Sequence, residues 1–413
     1  MWNEHHRNRL QIIILLGAAF LIRLAAGWLA GQAPVSAPLE YEWIARNILS
    51  GRGFVYDHLN TPYLAFVPPA YPVFCAAVYG ATKNSQLVLL LLQCLISALT
   101  CLQVTAIGQL LLNNRKTALW GGWLTAIHPG MVIYATKLHP MTTDLFVYLW
   151  ALWAWLTLYR KPTWRRAIVA GLASGTALLS RGTIAYFTLF AAVFYILRFR
   201  GSAAMLRKLM PALILSALLV MPWLIRNAVH FGRFPLYMTT SGELLWRGNN
   251  PAASGSALRP DGTSVLSAAP EPFRKELLTL GELDQNRLFF ETAKRFIIEN
   301  PVWALKLYAK KWVAFWTFSP QTGLWYPKSY VFIYYPFYLL TILLATAGAW
   351  AHRHRLRTPE GILLAGFILS ICMTQSIFYV EGRHRWTVEP LLLAAAGLLT
   401  MLRRPSTVME PES

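Results

Sequence analysis

The sequence predicts an all-α polytopic membrane protein: a bundle of about ten transmembrane helices with two outer-face loop regions that carry interfacial helices. Three observations predict it. Hydrophobic residues make up 56% of the 413 and charged residues only 14%, where a soluble domain carries about 25% charged residues. Apolar runs of roughly 20 residues, the length that crosses a bilayer, recur along the chain. Basic residues gather in short links between those runs: Arg7 and Arg9, Arg115-Lys116, Arg160 to Arg166, Arg198 to Lys208, Arg353 to Arg357, and Arg403-Arg404. Of the 18 acidic residues, only Glu4, Glu360, Glu410 and Glu412 share that side. This is the positive-inside pattern. It accounts for the net charge of +20 and argues against a nucleic-acid-binding face.

Taken in order, the first run, Leu10 to Ala30, lacks a cleavage site and reads as a retained anchor. Spans are expected at 10–31, 86–112, 118–135, 141–159, 166–181, 183–198, 208–226, 329–351, 360–380 and 386–402. They place both termini in the cytoplasm and every basic loop inside. Residues 68–82 are excluded because they are short and open with Pro68-Pro69. Residues 301–318 are excluded because Lys306, Lys310 and Lys311 stand among Trp and Phe, the pattern of a helix lying in the interface. The region 33–85 is the first outer loop, with a helix from Leu39 to Leu49 stopped by Ser50-Gly51 and Gly53. Region 227–328 is a larger outer loop, turn-rich at its start and helical near 283–299. Residues 1–413 read as one transmembrane domain with no tandem repeat. The four cysteines lie in apolar stretches without metal-ligand or disulfide-framework spacing.

An acid-bearing outer face points to chemistry at that surface. Glu40 and Glu42 are two apart on a short helix, so only one can face a given cavity, with Tyr41 or Arg46 beside it. Asp144 falls in the first turn of a span, where the helix dipole favours a carboxylate, and His139 is close by. Arg226 ends a span; Arg383, His384 and Arg385 open the last one. Guanidinium groups at a membrane boundary suit a lipid-linked phosphate, which they grip in a bidentate way. In WRGNNPAASG, Asn249 and Asn250 could bond sugar hydroxyls with Trp246 as a platform, or the segment is simply a turn. No metal cluster is evident, although a pair such as Glu42 with Asp144 could hold a divalent ion.

Together these blocks resemble the GT-C superfamily of membrane glycosyltransferases, near the prokaryotic relatives of dolichyl-phosphate-mannose protein mannosyltransferases and the lipid A aminoarabinose transferases. The resemblance rests on the order of the outer helix with its GxGF end (Glu40 to Phe54), PPAYP (Pro68 to Pro72), Asp144, PWLIRN (Pro222 to Asn227), GNNP (Gly248 to Pro251) and RHR (Arg383 to Arg385). It implies a GT-C-like bundle and inverting transfer from a polyprenyl-phosphate sugar to a lipid, glycan or protein acceptor at the outer face of the cytoplasmic membrane. It also implies a loop acid that deprotonates the acceptor and basic residues that hold the lipid phosphate. In such relatives the acid is usually an Asp four residues before the helix Tyr; here Ala37 stands there. Glu40 or Glu42 takes the role, or Asp57 or Asp144 does, or the chain is inactive as a transferase.

On this reading Glu40 or Glu42 is the base and Asp144 an auxiliary acid. Arg226, Arg383 and Arg385 bind phosphate. Asn249, Asn250 and Tyr41 line the sugar or acceptor site, with Arg46, His139, Asn227 and His384 nearby. The competing classes are a transporter or flippase of lipid-linked substrates and a scaffold subunit of an envelope assembly. A transporter predicts internal repeats and broken mid-membrane helices, which this sequence does not display.

Overall fold

The computed structural model describes residues 2–29, 39–233, 237–318 and 328–397. Ala37 and the far end of the last expected span, 398–402, lie outside them. The N-terminal half holds α1 (Trp2–Leu29), α2 (Glu40–Leu49), strands β1 (Tyr56–His58) and β2 (Thr61–Tyr63), then α3 (Ala70–Thr82), α4 (Gln86–Leu112), α5 (Arg115–Ala126), α6 (Pro129–Ala135) and α7 (Met141–Arg160). There follow α8 (Trp164–Ser180), α9 (Ile184–Phe199), α10 (Ala203–Arg207), α11 (Met210–Phe231), α12 (Ser241–Gly248), α13 (Glu271–Leu277) and α14 (Glu282–Glu299). The chain continues with α15 (Pro301–Trp316), α16 (Lys328–Ala351), α17 (Arg353–Leu356), α18 (Pro359–Ile377), α19 (Gly382–Arg385) and α20 (Glu389–Ala396).

By length and composition, six described helices can cross a membrane: His6–Leu29, Gln86–Leu112, Met141–Arg160, Ala203–Phe231, Val331–Ala351 and Pro359–Ile377. This is a multi-pass membrane protein, mostly helical. The expected span 118–135 is instead two helices. Pro129 has no N–H to continue the ladder, and His128 caps the second piece by accepting the Met131 amide at Nδ1 (3.3 Å). The expected span ending at Arg226 runs on to Phe231, through Pro222, and stops at Gly232 in the left-handed region (φ +61°). The expected span from 386 starts as a helix only at Glu389. Side-chain caps fix other starts: Ser85 for α4, Thr163 for α8 and Thr358 for α18 each accept the amide three residues on.

The main core joins α4, α7, α8, α9, α11, α18 and α20. Small residues allow close approach: an added Cβ on Gly171 would lie 2.8 Å from Leu215 Cβ, and one on Gly175 2.7 Å from Leu219 Cδ1. So α8 and α11 pack nearly backbone to backbone. The loop elements sit together at one end. The β1–β2 turn, Leu59-Asn60, has both φ positive (47° and 60°), the conformation whose twist suits a two-residue hairpin. Glu282, at the start of α14, accepts the Leu64 (2.7 Å) and Ala65 (3.0 Å) amides and the Thr239 hydroxyl. That single carboxylate ties the hairpin strand to the segment before α12.

Candidate functional site

A cavity of about 660 Å³ opens among α2, the β1–β2 hairpin, α7, the α8–α9 turn, α12, the end of α18 and α19. Glu40, Tyr41, His139, Asp144, Arg383 and His384 line it, as do Arg181, Glu243, Arg247 and His58, which the sequence pattern does not single out.

Each side chain arrives for a local reason. The i, i+2 spacing on α2 turns Glu40 to the cavity and Glu42 away. Glu42 is buried, accepting from the Tyr79 hydroxyl and from Gln86 Nε2 (2.9 Å). Among the described residues Glu40 has no hydrogen bond or ion pair. Tyr41 stands edge-on to Tyr71 (5.4 Å) and His139 (6.1 Å). Asp144 is buried and committed: it accepts from Ser180 Oγ, while Arg181 Nε and Nη2 reach its Oδ2, both at 3.0 Å. Arg181, with 28% of its side chain exposed, thereby projects into the cavity. Arg383 pairs with Glu381 (2.6 Å) and stays 23% exposed.

His139 accepts the Met141 amide at Nδ1 (3.1 Å), which puts the proton of the neutral ring on Nε2. Burial, then Arg383, Arg181 and Lys137, hold it well below 6.5; burial and the same two arginines do so for His384. A histidine depressed in the folded state binds fewer protons than the unfolded chain below pH 6.5. Stability is therefore full above that pH and falls as pH drops toward the folded values. We expect the thermal midpoint of the solubilised protein to fall between pH 6.5 and 5, and His139→Gln to flatten that dependence. An unaltered pH profile would contradict it.

Several expected site residues lie elsewhere. Arg226 is used by backbone: Nη1 donates to Leu64 O (2.5 Å) and Asn227 Oδ1 (2.8 Å), and Nη2 to Phe54 O (3.4 Å). Asn227 is buried beside it and reaches Tyr237 O (3.5 Å). Arg385 points from α19 into the core, opposite to Arg383. It contacts Glu389 (2.6 Å), Phe315 O (3.0 Å), Thr317 O and the Tyr334 hydroxyl (2.8 Å), with its guanidinium 3.6 Å from the Tyr338 ring centre. Arg46 is exposed and does not line the cavity. Asp57 pairs with Arg52 (3.5 Å) on the surface. Glu42 and Asp144, the pair that could hold a divalent ion, have separate partners and do not share a site. Among the described residues no three His, Cys, Asp or Glu cluster around a common point.

The GNNP segment is an anchor. An added Cβ on Gly248 would fall 1.7 Å from Phe378 O, so only glycine fits there. Asn249 Nδ2 donates to Leu245 O (2.8 Å) and Ile377 O (2.9 Å); Asn250 Nδ2 donates to Trp246 O (2.7 Å). Trp246 is buried between Phe273 and Phe289, both 5.4 Å away, so no sugar can stack on it. Lys311, the one buried lysine of α15, supplies the clasp. Its Nζ meets Gly248 O (3.2 Å), Asn249 Oδ1 (3.2 Å), Ile377 O (3.1 Å) and Phe378 O (2.9 Å). Burial lowers its pKa to about 8. Lys311→Met strands three acceptors, Gly248 O, Asn249 Oδ1 and Phe378 O, while Ile377 O keeps its bond from Asn249, and each unsatisfied group costs about 1–3 kcal/mol. We expect a loss of roughly 3 kcal/mol or more in a denaturation series, with Lys311→Arg intermediate; an unchanged midpoint for Lys311→Met would refute the clasp.

The described helices form a multi-helix membrane bundle whose loop elements border a cavity lined by carboxylates and guanidinium groups. Residues 67–225 match the family of dolichyl-phosphate-mannose-protein mannosyltransferases. The fold is shared with the archaeal oligosaccharyltransferase AglB from Archaeoglobus fulgidus, solved with an inhibitory peptide and a dolichol-phosphate (13% identity, TM-score 0.57, 97% of this chain and 51% of that one). It is shared also with ArnT from Cupriavidus metallidurans bound to undecaprenyl phosphate (15% identity, TM-score 0.55, 95% of this chain and 60% of that one). The chain thus spans about half the length of AglB and 60% of ArnT. No curated protein matches it significantly in sequence.

Proposed function

We propose that the chain, as one domain over 1–413, transfers a sugar from a polyprenyl-phosphate donor to a lipid, glycan or protein acceptor, with inversion. The cavity faces outward from the cytoplasmic membrane, and both termini lie in the cytoplasm. The observation that carries the reading is Glu40, a carboxylate with no hydrogen-bond or ion-pair partner among the described residues, sharing one cavity with two guanidinium groups, Arg181 and Arg383.

The acceptor hydroxyl gives its proton to Glu40 as its oxygen bonds the anomeric carbon. The bond from that carbon to the phosphate oxygen breaks, and its electron pair leaves on the lipid phosphate. Arg181 and Arg383 face that developing charge; preorganised cations stabilise it most in a water-poor site. Asp144 acts by holding Arg181, a role that suits its short contacts better than proton transfer. Neutral His139 and His384 provide hydrogen bonds without further positive charge. The likeness to proteins solved with dolichol- and undecaprenyl phosphate supports the lipid phosphate. The test is to supply membranes containing the chain with an undecaprenyl-phosphate sugar labelled in the sugar. Label should pass from the donor to a new product only with the wild-type chain; an untouched donor sinks the reading.

A further inference from the structure

The transfer chemistry leaves one pole of the cavity unused, the side built by β1 and α12. There Glu243 is buried and fully engaged. Its Oε1 lies 2.5 Å from Arg247 Nη2 and its Oε2 3.2 Å from His58 Nε2, joining hairpin to helix. Burial alone would raise the Glu243 carboxyl, but Arg247 and His58 outweigh it and hold the group below its usual range. Arg247 is different. A guanidinium has five N–H donors, and among the described residues only Nη2 has a protein acceptor. Its side chain is 31% exposed and lines the cavity. Beside it stand Tyr56, His58 and Phe66, with Tyr56 and Phe66 4.6 Å apart and all three lining the same space.

The chemistry of an occupant follows. An anion is disfavoured here because the Glu243 carboxylate lines the cavity beside Arg247 and repels a second negative charge. A plain hydrocarbon would leave the remaining Arg247 donors without acceptors. A neutral sugar ring meets both demands. Its hydroxyl and ring oxygens accept from Arg247, and its C–H face covers an aromatic ring. We propose that the Arg247–Tyr56 pole is a subsite for a neutral pyranose ring, which on the transferase reading belongs to one of the two substrates. The donor sugar and a sugar of the acceptor share this chemistry.

Saturation-transfer NMR on the solubilised full chain tests it, with methyl glucoside, methyl mannoside and methyl galactoside as probes and methyl glucuronoside as the anionic control. At least one neutral glycoside should receive saturation, and Arg247→Met and Tyr56→Leu should each cut the signal at least fivefold. Undecaprenyl phosphate binding by both variants should stay within twofold of wild type, which also shows that they fold. Adding undecaprenyl-phosphate mannose then displaces the glycoside if the ring is the donor's and leaves it in place if it is the acceptor's. Saturation of no neutral glycoside, a stronger glucuronoside signal, or full signal in Arg247→Met overturns the subsite while leaving the transfer reading intact. Glycoside binding without any undecaprenyl phosphate binding has the reverse meaning.

Discussion

Glu40→Gln is expected to slow sugar transfer by roughly 10²–10⁴-fold, the usual worth of a positioned general base, while changing donor affinity little. The amide fits the same space but cannot take the acceptor proton. Glu42→Gln is the matched control. It is two residues away on the same helix, yet its side chain faces Tyr79 and Gln86. Its effect on turnover should stay under about tenfold, below about 1.4 kcal/mol. Initial rates at saturating donor separate the two; equal losses, or a larger loss in the Glu42 variant, would move the base to the wrong carboxylate.

The largest stability effect should come from Glu389→Ala. Glu389 is completely buried and accepts from Arg385 Nε (2.6 Å), the Tyr334 hydroxyl (2.6 Å) and His128 Nε2 (2.5 Å). These partners come from α19, α16 and the cap of α6, so one carboxylate ties three elements beneath the cavity. Removing one member of a buried pair costs about 3–5 kcal/mol, because the other charge stays behind. A thermal melt in detergent should shift down by roughly 3–6 °C. The double variant Arg385→Met with Glu389→Leu should lose less than Glu389→Ala alone, since no orphaned guanidinium remains. Equal or greater loss in the double variant would mean that the network contributes attraction beyond mutual compensation. Activity should also fall in Glu389→Ala, because α19 carries Arg383 and His384 on the face opposite Arg385.

Much of this architecture is legible in the sequence. Apolar length and basic links give a polytopic bundle; the glycines after Leu49 end α2 where expected, and α14 falls within a residue of its expected start. What a linear pattern does not carry is facing. Arg383 and Arg385 look equivalent in RHR, but two residues on a helical turn point to opposite sides, one into the cavity and one into the core. Arg226 looks like a boundary cation, yet the loop from Phe54 to Leu64 folds back and offers it carbonyls. Asn249 and Asn250 look like hydrogen-bonding groups for a sugar and are turned to their own backbone by the contact of Gly248 with Phe378. Arg181 is hidden in SRGT between two apolar runs, and only the fold brings it to Asp144, 37 residues earlier. Its signal was available: an arginine at the same end of the bundle as the span-start acid. Glu243 and Arg247 also carry one, an i, i+4 pair in SGELLWRG.

On the proposed mechanism Glu40, Arg181 and Arg383 surround the reacting atoms. A structure of the chain with undecaprenyl phosphate bound decides this arrangement. The phosphate should lie in the cavity, within about 2.7–3.1 Å of a guanidinium nitrogen of Arg181 or Arg383, with the Glu40 carboxylate facing it across space for one sugar ring. A phosphate held at Arg226, or bound outside the cavity with Glu40 turned away, would contradict it.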